Sequence, residues 1–75
     1  MVYPLPHMTT RMKAERLRRG WNQTVLAAKV GMSAADISRI ETGRARPYPG
    51  QADRLAKVLK LAASRLQDQV PDAYL

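Results

Sequence analysis

Apolar residues in this chain recur at helical spacing, most densely in its middle third. Leu26, Ala27 and Val30 share one face of a helix over 23–30, and Ile37 and Ile40 share one face of a helix over 33–42. Ala52, Leu55, Ala56 and Leu59 follow i, i+3, i+4, i+7 and define a further helix. Upstream, Met8, Met12, Ala14 and Leu17 give an imperfect stripe. It predicts a first helix that starts at Thr9 or Thr10 and ends before Gly20. Polar residues and glycines punctuate these stripes. Asn22 can cap the helix over 23–30, and Gly31 can end it with a positive φ. Ser33 can cap the next helix, with Asp36 three residues on completing a capping-box pattern, and Gly43 closes it. Pro49 suits the first position of the fourth helix.

The ends are less regular. Pro4 and Pro6 exclude a regular helix from MVYPLPHM, so residues 1–8 read as a flexible arm. After the fourth helix, LKLAASRLQDQV keeps helical character until Pro71, which leaves 71–75 as a tail. Either a bend at Lys60 separates a fifth helix, or the fourth helix runs on. The expected fold is all-α, a compact bundle of four or five short helices in one domain over 9–70.

Composition sharpens the picture. A chain of 75 residues buries only about 60% of its unfolded surface, so its core is small. There is no cysteine, hence no disulfide framework and no cysteine-based zinc site. No apolar run approaches the roughly 20 residues of a membrane span, and the first ten residues lack the apolar core of a signal peptide. Thirteen Lys and Arg against six Asp and Glu give a net charge of +7, which favours a polyanionic partner. There is no glycine-rich phosphate loop, no arguable Ser-His-Asp set and no metal-ligand cluster. His7 is the only histidine and sits in the arm, where an inert role is expected. The expectation is a non-enzymatic protein without cofactor or metal.

The stretch Asn22–Gly43 then reads as two short helices joined by a tight turn, a unit that places its second helix in the DNA major groove. With Ile37 and Ile40 inward, the outward set on that helix is Ser33, Ala34, Ala35, Ser38 and Arg39. These are the expected base readers. Arg39 is the strongest, since a guanidinium can pair two-pronged with guanine. The serines can bond bases or phosphate, and the alanines can only touch a thymine methyl. The N-terminus of the helix over 23–30 favours an anion, which marks Asn22 and Gln23 as phosphate binders. Arg44 and Arg46 lie in the basic, proline-rich loop RARPYPG and are expected on phosphate as well.

The ordered set of Gln23, LAAKVG at 26–31, ISRIE at 37–41, Gly43 and Pro47 resembles the phage-repressor, Cro-like helix-turn-helix family, also called the xenobiotic-response-element family. The resemblance runs from about 9 to 66, through Arg16, Gly20 and LAKVL at 55–59. It implies that Gln23 touches phosphate and braces the recognition helix, and that Arg16 and Glu41 form a structural ion pair. It implies that Trp21 packs into the core rather than stacking on bases. Leu61 and Leu66 match apolar positions of the family, which favours the bend, although Lys60 stands where relatives carry glycine. Glu15, Pro49 and Asp53 likewise replace apolar residues. The function implied is transcriptional regulation, most simply repression, by a homodimer on a palindromic operator in the cytoplasm of a bacterial or phage host. The dimer is expected to form through the apolar edge of Leu61, Leu66 and Val70. The same domain also serves in antitoxins and coactivators, so a protein partner, a toxin or the transcription machinery, is the alternative.

Overall fold

The computed structural model describes residues 8–71; the rest of the arm (1–7) and of the tail (72–75) lies outside the described residues. The order is strand β1 (Met8–Thr10), helices α1 (Arg11–Arg18), α2 (Gln23–Val30), α3 (Ala34–Glu41) and α4 (Pro49–Leu59), a 3-10 turn (Ala63–Arg65) and strand β2 (Gln69–Pro71).

Each of the first three helices starts where a side chain can satisfy one of its first free N–H groups. The Thr10 hydroxyl accepts from the Lys13 N–H at 3.4 Å, Asn22 Oδ1 from Val25 at 2.8 Å, and Ser33 Oγ from Asp36 at 3.1 Å. Pro49 opens α4, and Gln51 Oε1 accepts from the Tyr48 N–H at 3.0 Å. Gly31 closes α2 at φ 69°, a left-handed conformation that glycine takes without steric penalty.

Met12, Leu26, Ala27, Val30, Ile37, Ile40, Leu55, Leu59 and Leu66 make up the core. Trp21, Met32 and Leu61 pack at its margin. Trp21 is thus a packing residue, with the Lys29 ammonium 4.6 Å and the Arg19 guanidinium 5.7 Å from its ring centre. The stripe expected on α1 is only half used. Met12 and Ala14 are buried, but Leu17 and Met8 are exposed. Arg16 takes the inward position one turn after Met12, so a charged residue completes the buried face.

The C-terminal segment departs from the helical expectation. The bend is present: Lys60 adopts φ 56°, ψ 46° and turns the chain without glycine. Among the described residues, no fifth α-helix follows. After the 3-10 turn, β2 pairs antiparallel with β1, matching Met8 to Pro71, Thr9 to Val70 and Thr10 to Gln69. Met8 therefore belongs to the folded unit rather than to the arm, and Pro71 ends a strand rather than a helix. The free N–H groups at the start of α1 explain the choice. Arg11 and Met12 donate to the Asp68 and Leu66 carbonyls at 2.8 and 3.0 Å, bonds that a separate fifth helix would keep for itself. Leu66 and Val70 then point inward and are buried. Of the apolar edge expected to carry a dimer, Leu66 joins the core, Val70 is buried, and Leu61 is half-buried at the core margin.

Candidate nucleic-acid interface

The inner face of α3 is held by both apolar packing and a buried ion pair. Ile37, Ile40 and Glu41 are buried. Glu41 Oε2 accepts from Arg16 Nε at 2.6 Å and its Oε1 accepts from Arg16 Nη2 at 3.1 Å, a two-pronged ion pair. Both residues are at most 5% exposed. Arg16 also donates to the Trp21 carbonyl at 2.7 Å, and Gln23 Nε2 donates to Glu41 Oε1 at 3.0 Å. Thr10 Oγ1 donates to the Glu41 carbonyl at 3.1 Å. One carboxylate at the end of α3 thereby ties together α1, the α1–α2 turn and the start of α2. A buried ion pair is tolerable only when its remaining hydrogen-bonding capacity is met in this way.

Three further side chains, which carry no periodic signal in the sequence, hold helix ends. Gln67 Nε2 donates to the Ile40 carbonyl at 3.0 Å and the Ala45 carbonyl at 2.8 Å, clamping the end of α3 to the loop after it. Arg54 Nε donates to the Val30 carbonyl at 2.8 Å, and Arg19 Nη2 to the Leu59 carbonyl at 3.0 Å. The cationic donors Arg54 and Arg19 suit their sites, because helix C-termini carry unpaired carbonyls and partial negative charge.

With its inner face fixed, α3 turns a contiguous outer surface to solvent. Ala35 and Arg39 are exposed one turn apart, Ala34 and Ser38 are half-buried one turn apart, and Ser33 is exposed at the cap. Ala34, Ala35, Ser38 and Arg39 therefore lie on one side of α3, with Ser33 at its N-terminal cap. Arg39 does not stand alone: its Nη2 donates to Asp36 Oδ1, one turn back on the same surface. That hydrogen bond, with a smaller one from the Ser33 hydroxyl, holds the Asp36 carboxyl below the usual aspartate range.

Asn22 and Gln23 sit at the start of α2, with Gln23 against the end of α3. The Asn22 side-chain oxygen is spent on capping, while Gln23 uses one Nε2 hydrogen on Glu41 and keeps a second. Arg44 and Arg46 are exposed in the loop after α3, and among the described residues neither forms an ion pair. The basic residues of α1 differ. Glu15 takes Arg18 at 2.8 Å and Arg19 at 2.6 Å, and its carboxyl is held below the usual glutamate range chiefly by the Arg19 hydrogen bond. Arg18 and Arg19 are thereby neutralised at the end of α1, while Arg44 and Arg46 beside α3 are not. Among the described residues, no group of three or more His, Cys, Asp or Glu could hold a metal, and no helix is long and apolar enough to cross a membrane.

The comparisons with known proteins agree with this geometry. A family model described as "Helix-turn-helix domain" matches residues 7–68. No curated protein matches the chain. Among solved structures, the chain is similar to the P22 c2 repressor protein, crystallised in complex with synthetic operator 9T in the presence of Tl+. The TM-score is 0.72 at 28% identity, over 77% of this chain and 88% of that one. The matched span takes in all four helices and the ion pair between α1 and α3, and the chain belongs to the phage-repressor-like helix-turn-helix family.

Proposed function

We propose that this protein is a DNA-binding transcriptional regulator that lays α3 in the major groove, and that it acts as a repressor on a palindromic operator. The observation that carries this reading is the contrast between the two faces of α3. Its inner face is locked by the ion pair, and its outer face offers four small side chains beside one arginine, which is paired with Asp36. A major groove about 12 Å wide admits a helix of this kind, and short side chains let it approach closely. Arg39 is the principal base reader. Ser33 and Ser38 supply secondary polar contacts, and Ala34 and Ala35 supply apolar contact with thymine methyls. Such sparse direct readout places part of the specificity on DNA shape. Asn22, Gln23, Arg44 and Arg46 grip phosphate on either side of the groove, consistent with the net charge of +7. The P22 c2 repressor, a protein of similar fold, was crystallised on an operator.

A homodimer on DNA would set two copies of α3 about 34 Å apart, one helical turn. Since Leu66 and Val70 are buried within the protomer, the two copies meet through other surface. Selection of bound sequences from random duplex DNA tests the whole reading. The expected result is a palindromic consensus, bound by two chains in sedimentation. Failure to enrich any sequence would overturn DNA readout and leave the protein-interaction alternative. A consensus without two-fold symmetry would overturn the dimer alone.

A further inference from the structure

Asp36 is an anomaly on a surface read as facing DNA. It places a carboxylate among groups that would meet phosphates and bases, where a negative charge opposes binding. Its placement is not accidental to the helix. Asp36 donates its N–H to the Ser33 hydroxyl in the first turn of α3, so its backbone is fixed at the start of the helix. Its side chain projects one turn before Arg39, and the two form a hydrogen-bonded ion pair across exposed surface. An exposed pair of this spacing contributes little to folding.

We propose, on the basis of the DNA-binding reading above, that Asp36 is a positioning residue for Arg39 and thereby sets base specificity. A free arginine side chain on a helix surface samples many rotamers and can reach either a base edge or a neighbouring phosphate. Asp36 Oδ1 occupies one Nη2 hydrogen and so narrows that choice. The guanidinium has five N–H donors, so a parallel pair remains free to meet O6 and N7 of guanine. Ala34 and Ala35 offer no polar group to compete for the guanidinium or to read the neighbouring bases. Discrimination at this end of α3 is therefore concentrated in one side chain, and its orientation matters correspondingly more. The carboxylate has a second effect. It repels phosphate, which weakens binding to unrelated duplexes while the aligned arginine offsets that loss on the preferred site.

The test compares the parent protein with Asp36→Ala, Asp36→Asn, Arg39→Ala and the Asp36→Ala/Arg39→Ala pair. Each is titrated against the selected duplex, its single-base variants and an unrelated duplex, with thermal unfolding measured alongside. Asp36→Ala is expected to tighten binding to the unrelated duplex and to cut discrimination at the Arg39 base by roughly tenfold. Asp36→Asn, which keeps an acceptor oxygen without the charge, should retain much of that discrimination. In the Arg39→Ala background, Asp36→Ala should leave base preference unchanged, and thermal midpoints should move little. Unaltered discrimination in Asp36→Ala, or an equal change with and without Arg39, overturns the positioning role while leaving DNA binding intact. A parent protein that selects no sequence overturns both this role and the functional reading.

Discussion

Replacing Glu41 by alanine is the most demanding test of how this small domain holds its recognition helix. The substitution leaves the Arg16 guanidinium buried with two of its hydrogen bonds removed, and it orphans Gln23 Nε2. Removing one partner of a buried pair costs about 3–5 kcal/mol, because the surviving charge stays desolvated. Both side chains are almost inaccessible, 6% and 1% exposed, so little solvent screening reduces that figure. At about 0.05–0.15 kcal/mol per residue, a domain of this size has a total stability of roughly 4–11 kcal/mol. The substitution therefore takes away a large fraction of it. For domains of this length 1 kcal/mol corresponds to about 4–8 °C in the midpoint, so the expected drop is at least about 12 °C. Far-UV circular dichroism with heat and with urea measures it. Arg16→Met with Glu41→Leu, which removes both charges and fills the space, should recover much of the loss. A midpoint for Glu41→Ala equal to that of the parent would refute the reasoning, as would a double variant weaker than either single change.

Five other substitutions probe separate parts of the molecule. Arg39→Ala should cost about 1–3 kcal/mol on the selected site and relax preference at one base, whereas Arg46→Ala should weaken all sequences alike and flatten the salt slope by about one unit; titrations over a panel of duplexes and salt concentrations separate them. Lys60→Gly should stabilise by about 1 kcal/mol, because the left-handed conformation at φ 56° strains any side chain, and a midpoint that falls would contradict this. Gln67→Ala leaves the Ile40 and Ala45 carbonyls without their donor and should lower stability by about 1–3 kcal/mol in urea unfolding. Glu15→Gln concerns pH: the folded-state pKa lies below the unfolded one, so its contribution is full above the ordinary glutamate range and fades as pH falls through the folded value. The variant should lack that part of the acid-side decline in thermal midpoint.

Local rules decided most of the helices. Periodicity marked α2, α3 and α4, because a helix that buries one face repeats its apolar residues every three to four positions. The caps at Thr10, Asn22 and Ser33 and the turn at Gly31 follow from side-chain chemistry within a few residues of each helix end. The outward set of α3 was readable for the same reason: once Ile37 and Ile40 point inward, helical geometry assigns the opposite side. The Arg16–Glu41 contact could be anticipated only from the family pattern, since no local rule joins residues 25 apart in sequence. Other features were decided by the tertiary structure alone. The segment from Lys60 to Pro71 has helical composition, yet it forms a 3-10 turn and a strand. The unpaired N–H groups of α1 and the strand β1 lie beside it and offer better partners than its own backbone. Gln67, Arg54 and Arg19 became clamps on distant carbonyls, and Asp36 became the partner of Arg39. A polar side chain carries no periodic signal, and what it bonds is settled only when folding brings a donor or acceptor within reach.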